Sequence, residues 1–188
     1  MRKTHLSVTA CALVLGAGLA SGLTGCSATA APGAPGSQDG KVVVNKPATD
    51  VLKQFTGSVS DTLSHAGGAW TYRSQKPWDA GNAADFSAHD CGQVQRAWQY
   101  SVSLVGPAVK DADAAVKKMA EHWKSQGAQV GGEGGWDAIP SSGVAAQKEI
   151  SAVTRDGIKF TYDAGTDKSR LASESVCSTN PDMTAAGS

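Results

Sequence analysis

The side chains that could do chemistry in this 188-residue chain are few: thiols, imidazoles, carboxylates and indoles placed in loops. The densest group is His89-Asp90-Cys91, three possible metal ligands in a row. Consecutive residues rarely converge on one ion, and no second cluster supplies the rest of a tetrahedral set. His65 and His122 are the other histidines beyond the N-terminal segment; His122 falls in the last turn of a predicted helix, where the helix dipole accounts for it. A hydrolase needs a nucleophile with a positioned base. The chain has no Gly-x-Ser-x-Gly, Ser-x-x-Lys or His-Glu-x-x-His. Glycan cleavage needs two facing carboxylates, and Asp85, Asp90, Glu133 and Asp137 read only as loop acids. The cluster Gly131-Gly132-Glu133-Gly134-Gly135 lacks the Lys of a phosphate loop and carries an acid that would repel phosphate. No catalytic residue, metal ligand or cofactor is therefore assigned, and the chain reads as a non-enzyme.

The indoles say more. Trp70, Trp98 and Trp123 fall on predicted core faces, whereas Trp78 and Trp136 sit in loops. Their settings are similar, Lys76-Pro77-Trp78-Asp79-Ala80-Gly81 and Gly135-Trp136-Asp137-Ala138. Such rings can stack on a sugar or anchor a partner protein. They can equally cap the open ends of a core. Trp78 and Trp136 are the candidate ligand-binding residues.

The thiol with a defined fate is Cys26. Arg2 and Lys3 precede an apolar run from Leu6 to about Leu23 and the small residues of Leu23-Thr24-Gly25-Cys26, the layout of an export signal. The run is interrupted by Gly16, Gly18, Ser21 and Gly22, and is short for a membrane span. Leu23-Thr24-Gly25-Cys26 resembles the lipobox of bacterial lipoproteins. That resemblance implies cleavage after Gly25, a diacylglyceryl thioether on Cys26 and a place on the outer face of the bacterial cytoplasmic membrane. Two acyl chains anchor stably without a spanning helix.

On this reading residues 1–25 are the signal peptide and 26–47 the lipidated N-terminus with a Pro/Gly-rich tether. As a flexible coil, the tether would reach roughly 25 Å on average. Residues 48–180 form one domain and 181–188 a frayed tail. Losing Arg2 and Lys3 from 17 basic residues leaves 15 against 17 acidic ones. A surface so near neutrality gives no reason to expect nucleic acid as a partner. Cys11 leaves with the signal and Cys26 is taken by lipid, so Cys91 and Cys177 are the pair left for a disulfide. Two free buried thiols are the alternative. In the chain-entropy view, closing so long a loop stabilises by about 4–5 kcal/mol.

These residues must be held by elements the periodicity suggests. A helix is predicted from Asp50 to about Ser64, with Val51, Leu52, Phe55, Val59 and Leu63 on one face. A second is predicted with Pro107 at its first turn and Gly127 as its stop, burying Val109, Ala112, Val116, Met119 and Trp123. Val94 to Leu104 alternates as a single half-buried strand with Gln95 and Gln99 facing water, and Ala69 to Arg73 as a shorter one. Strands about Val144 to Thr154, Ile158 to Tyr162 and Ser169 to Ser178 form a meander, turned by Asp156-Gly157. Lys41 to Asn45 is a short strand or the end of the tether. The fold class is α+β: two helices packed on one face of a mainly antiparallel sheet of 4–6 strands, in the order α-β-β-α-β-β-β.

The lipobox, the Trp-rich first strand, Cys91, the helix end Lys124-Ser125-Gln126-Gly127-Ala128, the hairpin Arg155-Asp156-Gly157-Ile158-Lys159-Phe160 and Cys177 together resemble LppA-type lipoproteins of actinobacteria. The resemblance implies the lipid site and the cysteine pair and carries no activity. The expected function is a non-enzymatic, lipid-anchored envelope module whose partners are the membrane and an envelope protein, glycan or lipid. One alternative is a structural or accessory subunit of an envelope complex, marked by an exposed apolar patch. Another is an envelope hydrolase, which would need Asp85, His89 or Asp90 to converge in a pocket.

Overall fold

The computed structural model describes residues 36–38, 41–82, 86–92, 94–131 and 147–185, all within the unit Gly33–Ser188. Its larger sheet consists of β3 (Thr71–Tyr72), β6 (Ser101–Gly106), β7 (Gln129–Val130), β8 (Lys148–Val153), β9 (Lys159–Ala164) and β10 (Ser169–Glu174). The order across it is β3-β6-β10-β9-β8-β7, every pairing antiparallel. A smaller sheet, in the order β1-β2-β11-β5-β4, joins β1 (Gly36–Gln38), β2 (Lys41–Val44), β4 (His89–Asp90), β5 (Trp98–Gln99) and β11 (Cys177–Ser178). The helices are α1 (Ala48–Ala66), α2 (Ala112–Ser125) and α3 (Asp182–Ala185). The expected α+β class holds, with α1 and α2 packed against a six-stranded antiparallel sheet.

Alternation along the strands sets which face is covered. Leu104, Leu171, Tyr162 and Ile150 share one register row, and Val102, Ser173, Phe160 and Ala152 share the next. Trp123 of α2 stacks on Phe160 with ring centroids 5.5 Å apart. Trp123 also donates Nε1–H to Thr62 Oγ1 of α1 at 3.2 Å, so the second helix ties the first into the core. The stripe Val51, Phe55, Val59 and Leu63 is buried as the helical spacing requires. The opposite sheet face carries Ser101, Ser103, Lys159, Arg170 and Glu174 together with Val105, Ala172 and Val153.

Several expectations are corrected. Pro107 lies outside α2, because Asp111 caps it: its carboxylate accepts the Ala114 N–H at 3.0 Å. The side-chain cap satisfies a free helix N–H that Pro107 could not. The long strand expected over Val94 to Leu104 is two, β5 in the smaller sheet and β6 in the larger. The last strand likewise divides into β10 and β11. Both hand over at one point, where Tyr100 N donates to Ser175 Oγ and Ser175 N to Tyr100 O, each at 2.8 Å. Gln99, expected in water, is therefore buried.

The ends of the domain come next. Of the two readings of Lys41 to Asn45, the strand is found: β2 runs parallel to β11 with Val43 opposite Cys177, and Ser178 Oγ donates to Lys46 O at 2.7 Å. Within the expected frayed tail, α3 buries Met183 completely. A lone Met between polar residues gives no periodic signal, since a single anchor has no period. Cys91 and Cys177 form a disulfide with Cα atoms 6.1 Å apart, packed with Val94, Ala97 and Val43. Among the described residues, no helix is long and apolar enough to cross a membrane.

Candidate functional site: a groove at the end of α1

The chain leaves α1 through Gly67 and Gly68, both with positive φ, and enters a short hairpin. Trp78 N donates to Trp70 O at 2.9 Å and Tyr72 N to Lys76 O at 2.8 Å. This turn brings Trp78 back over the end of the helix. Its indole Nε1–H donates to Ser60 Oγ at 3.2 Å. One side of the ring is held by Tyr72 and Phe86, each with its centroid 5.8 Å away. Phe86 in turn meets Phe55 and Tyr100 edge to face.

Trp78 remains half-buried. It lines a groove of about 510 Å³ together with Ser60, Ser64, Trp70 and Pro77. Trp70 is itself buried and donates Nε1–H to Gly67 O at 3.0 Å, which fixes the groove floor to the helix end. Ser60 and Ser64 are one turn apart, so both hydroxyls share a helix face. None of the residues lining the groove is charged. The site offers an aromatic wall, two hydroxyls and no ionic contact. Trp78 thus does both things the sequence allowed, closing the core on one side and facing a concavity on the other.

Two further hollows, of about 500 and 310 Å³, lie side by side on the polar face of the larger sheet and share Lys159 and Thr161. Their hydroxyls are partly satisfied by one another, with Ser151 Oγ 3.1 Å from Thr161 Oγ1.

The remaining candidates are not brought together. Cys26, Trp136, Asp85, Glu133 and Asp137 lie outside the described residues. His89 and Asp90 are neighbours on β4, whose alternation directs them apart. Asp90 Oδ1 accepts the Gly92 N–H at 2.6 Å. His89 Nε2 lies 3.3 Å from Gln99 Nε2. Gln99 Oε1 lies 3.4 Å from Cys177 Sγ, against the disulfide. Cys91 is therefore a half-cystine and not a thiolate ligand. Among the described residues, no three His, Cys, Asp or Glu side chains are placed to hold a metal ion.

Sequence reasoning missed one cluster. His65 of α1 and His122 of α2 stack face to face, with centroids 3.9 Å apart and planes 9° from parallel. Asp61 Oδ2 accepts from His122 Nε2 at 2.8 Å and from Gln126 Nε2 at 2.6 Å. Lys118 Nζ donates to His65 O at 3.3 Å. His65 Nε2 is buried and has no hydrogen-bond partner. Burial, then the positive charge His122 and Lys118 can place beside it, hold the His65 pKa below the ordinary histidine range. Burial raises that of Asp61, but the hydrogen bonds from Gln126 and His122 outweigh it, and the net shift is downward. The available signal was two i,i+4 pairs, Asp61 with His65 and Lys118 with His122, but nothing in one sequence sets two helices face to face.

No protein-family model matches the chain, and no curated protein sequence does either. Among solved structures, a DUF4853 family protein from Actinomyces odontolyticus ATCC 17982 is similar at 16% identity, with a TM-score of 0.43. The superposition covers 69% of this chain and 65% of that one, just under two thirds of its length.

Proposed function

We propose that this chain is a lipid-anchored binding module of the bacterial envelope. Cys26 holds it to the outer face of the cytoplasmic membrane, and the Trp78 groove receives a neutral glycan segment. The observation that carries the reading is the half-buried Trp78 indole bordering an uncharged groove beside the Ser60 and Ser64 hydroxyls. A pyranose ring presents C–H groups on its faces and hydroxyls on its rim. An aromatic wall next to small hydroxyls complements both, and the uncharged lining gives an anionic ligand nothing to pair with. The LppA-type resemblance and the Leu23-Thr24-Gly25-Cys26 lipobox support the anchor. The accessory-subunit alternative has less support. The face that would dock mixes Val105, Ala172 and Val153 with the charged Lys159, Asp163, Arg170 and Glu174, where the centre of a permanent interface is depleted of charge.

Two measurements test the parts separately. Expressed with its own signal in an actinobacterial host, the wild-type chain is expected in the membrane fraction and Cys26→Ser in the soluble fraction. Equal partitioning of the two would end the anchoring reading. For the groove, the Trp78 indole N–H resonance is followed while a β-1,4-linked N-acetylglucosamine tetramer is added. A saturable shift is expected in the wild type, and calorimetric affinity for the same tetramer should be lost in Trp78→Ala and kept in part in Trp78→Phe. An unmoved Trp78 resonance at millimolar saccharide overturns the glycan assignment.

A further inference from the structure

The last two turns of α1 have two occupied faces. Ser60, Ser64 and the backbone of Gly67 line the Trp78 groove. One residue further round, Asp61 and His65 meet His122 and Lys118 of α2. The same two turns therefore carry the proposed binding surface and a stacked pair of titratable rings. We propose that protonation of the His65–His122 stack loosens the end of α1 from α2 and thereby weakens binding in the Trp78 groove. The proposal rests on the groove as binding site and supplies its regulation: a ligand held at neutral pH and released on acidification.

The charges meeting at this seam decide the direction. Asp61 and His65 come from α1, and Lys118 and His122 from α2, with the uncharged Gln126 beside them. When both rings are neutral, the stack places two flat, weakly polar faces together and Asp61 accepts from His122. Asp61 already contacts His122 and can neutralise one imidazolium, not two. Protonating the second ring puts like charges 3.9 Å apart between centroids, with Lys118 as a third cation. His65 Nε2 makes the arrangement less tolerant still, because it is buried and faces no acceptor. A proton placed there must be carried out to water, so the ring and the turn that holds it have to move. That turn includes Ser64 and leads to Gly67, whose carbonyl accepts the Trp70 indole N–H at the groove floor.

The test follows three indicators in the full chain from about pH 7.5 to about pH 4.5, past the usual histidine interval because burial holds His65 lower. They are the His65 and His122 ring C–H resonances, the Trp78 indole N–H, and affinity for the N-acetylglucosamine tetramer. The expected result is that the Trp78 resonance moves with the protonation of His65, while affinity falls by about fivefold or more. His65→Gln should flatten the Trp78 profile over the same interval. A Trp78 resonance that stays fixed while His65 protonates overturns the coupling, as does an identical profile in His65→Gln. If His65→Gln fails to fold, the wild-type ring titrations decide: mutually dependent curves are expected, and two independent single-proton curves overturn the proposal. If the saccharide fails to bind at any pH while the Trp78 resonance still follows His65, the conformational coupling stands and the glycan reading falls.

Discussion

The Trp70 indole occupies the space that a side chain at residue 106 would need: a Cβ built on Gly106 falls 2.6 Å from three of its ring atoms. Gly106 ends β6 directly beneath the groove floor, so the absence of a side chain there is what lets Trp70 lie between β6 and the end of α1. The φ angle at Gly106 is not in the left-handed region, so any penalty is steric. Gly106→Ala should displace the ring and lower stability by about 1–3 kcal/mol, the usual cost of overpacking a well-filled core. Urea denaturation measures it, and an unchanged midpoint would show that the ring has room to move. Because Trp70 also donates to Gly67 O, the Trp78 indole resonance should shift as well.

The Cys91–Cys177 bond spans 86 residues of chain and pins the handover end of β11 to the chain after β4. The smaller sheet has short strands and a small core of its own, so it depends on this crosslink more than the larger sheet does. Replacing both cysteines by serine should cost about 4–5 kcal/mol in the chain-entropy view. The loss should be concentrated in β2, β5 and β11, with hydrogen exchange accelerated there before it rises in β9 and β10. Uniform acceleration across both sheets would show the two to be a single cooperative unit.

Much of this fold is legible in the sequence, and the losses have identifiable causes. The stripes Val51-Phe55-Val59-Leu63 and Val116-Met119-Trp123 survive intact because amphipathic periodicity over several turns is hard to imitate. Asp156-Gly157 marks its hairpin because Gly157 adopts φ +84°, a conformation that favours glycine. The division into two sheets was not legible because period-2 alternation runs from Trp98 through Tyr100 to Leu104 without a break, although the chain changes sheets at Tyr100. Alternation records which side of a strand is dry, not which neighbour it pairs with. Of the candidate site, Trp78 was found by its loop setting, whereas its partners Ser60, Ser64 and Trp70 depend on how the hairpin folds back over α1. Nothing local to Trp78 encodes that return.

Glu149 and Asp163 stand opposite each other across β8 and β9, two carboxylates in one register position. Burial, then the hydrogen bond to Asp163 and its negative charge, push the Glu149 pKa above the ordinary carboxylate range. The folded state therefore holds a proton that the unfolded chain has already released. The stability this contributes is fully present below the unfolded value, roughly pH 4, and is lost as pH rises through the raised folded value. Glu149→Gln keeps the hydrogen-bonding shape and removes the repulsion, so it should raise the urea midpoint at pH 7. The gain should shrink toward zero near pH 4, where the wild-type carboxyl is protonated. Asp61 and His65 act oppositely: their lowered pKa values make the unfolded chain the tighter proton binder, so the stability they contribute falls on acidification. A double variant, Glu149→Gln with Asp163→Asn, should gain less than the sum of the single variants, because either one alone removes the same repulsion. Strict additivity, or a lower midpoint for Glu149→Gln at pH 7, would show that the two carboxylates do not interact across the strands.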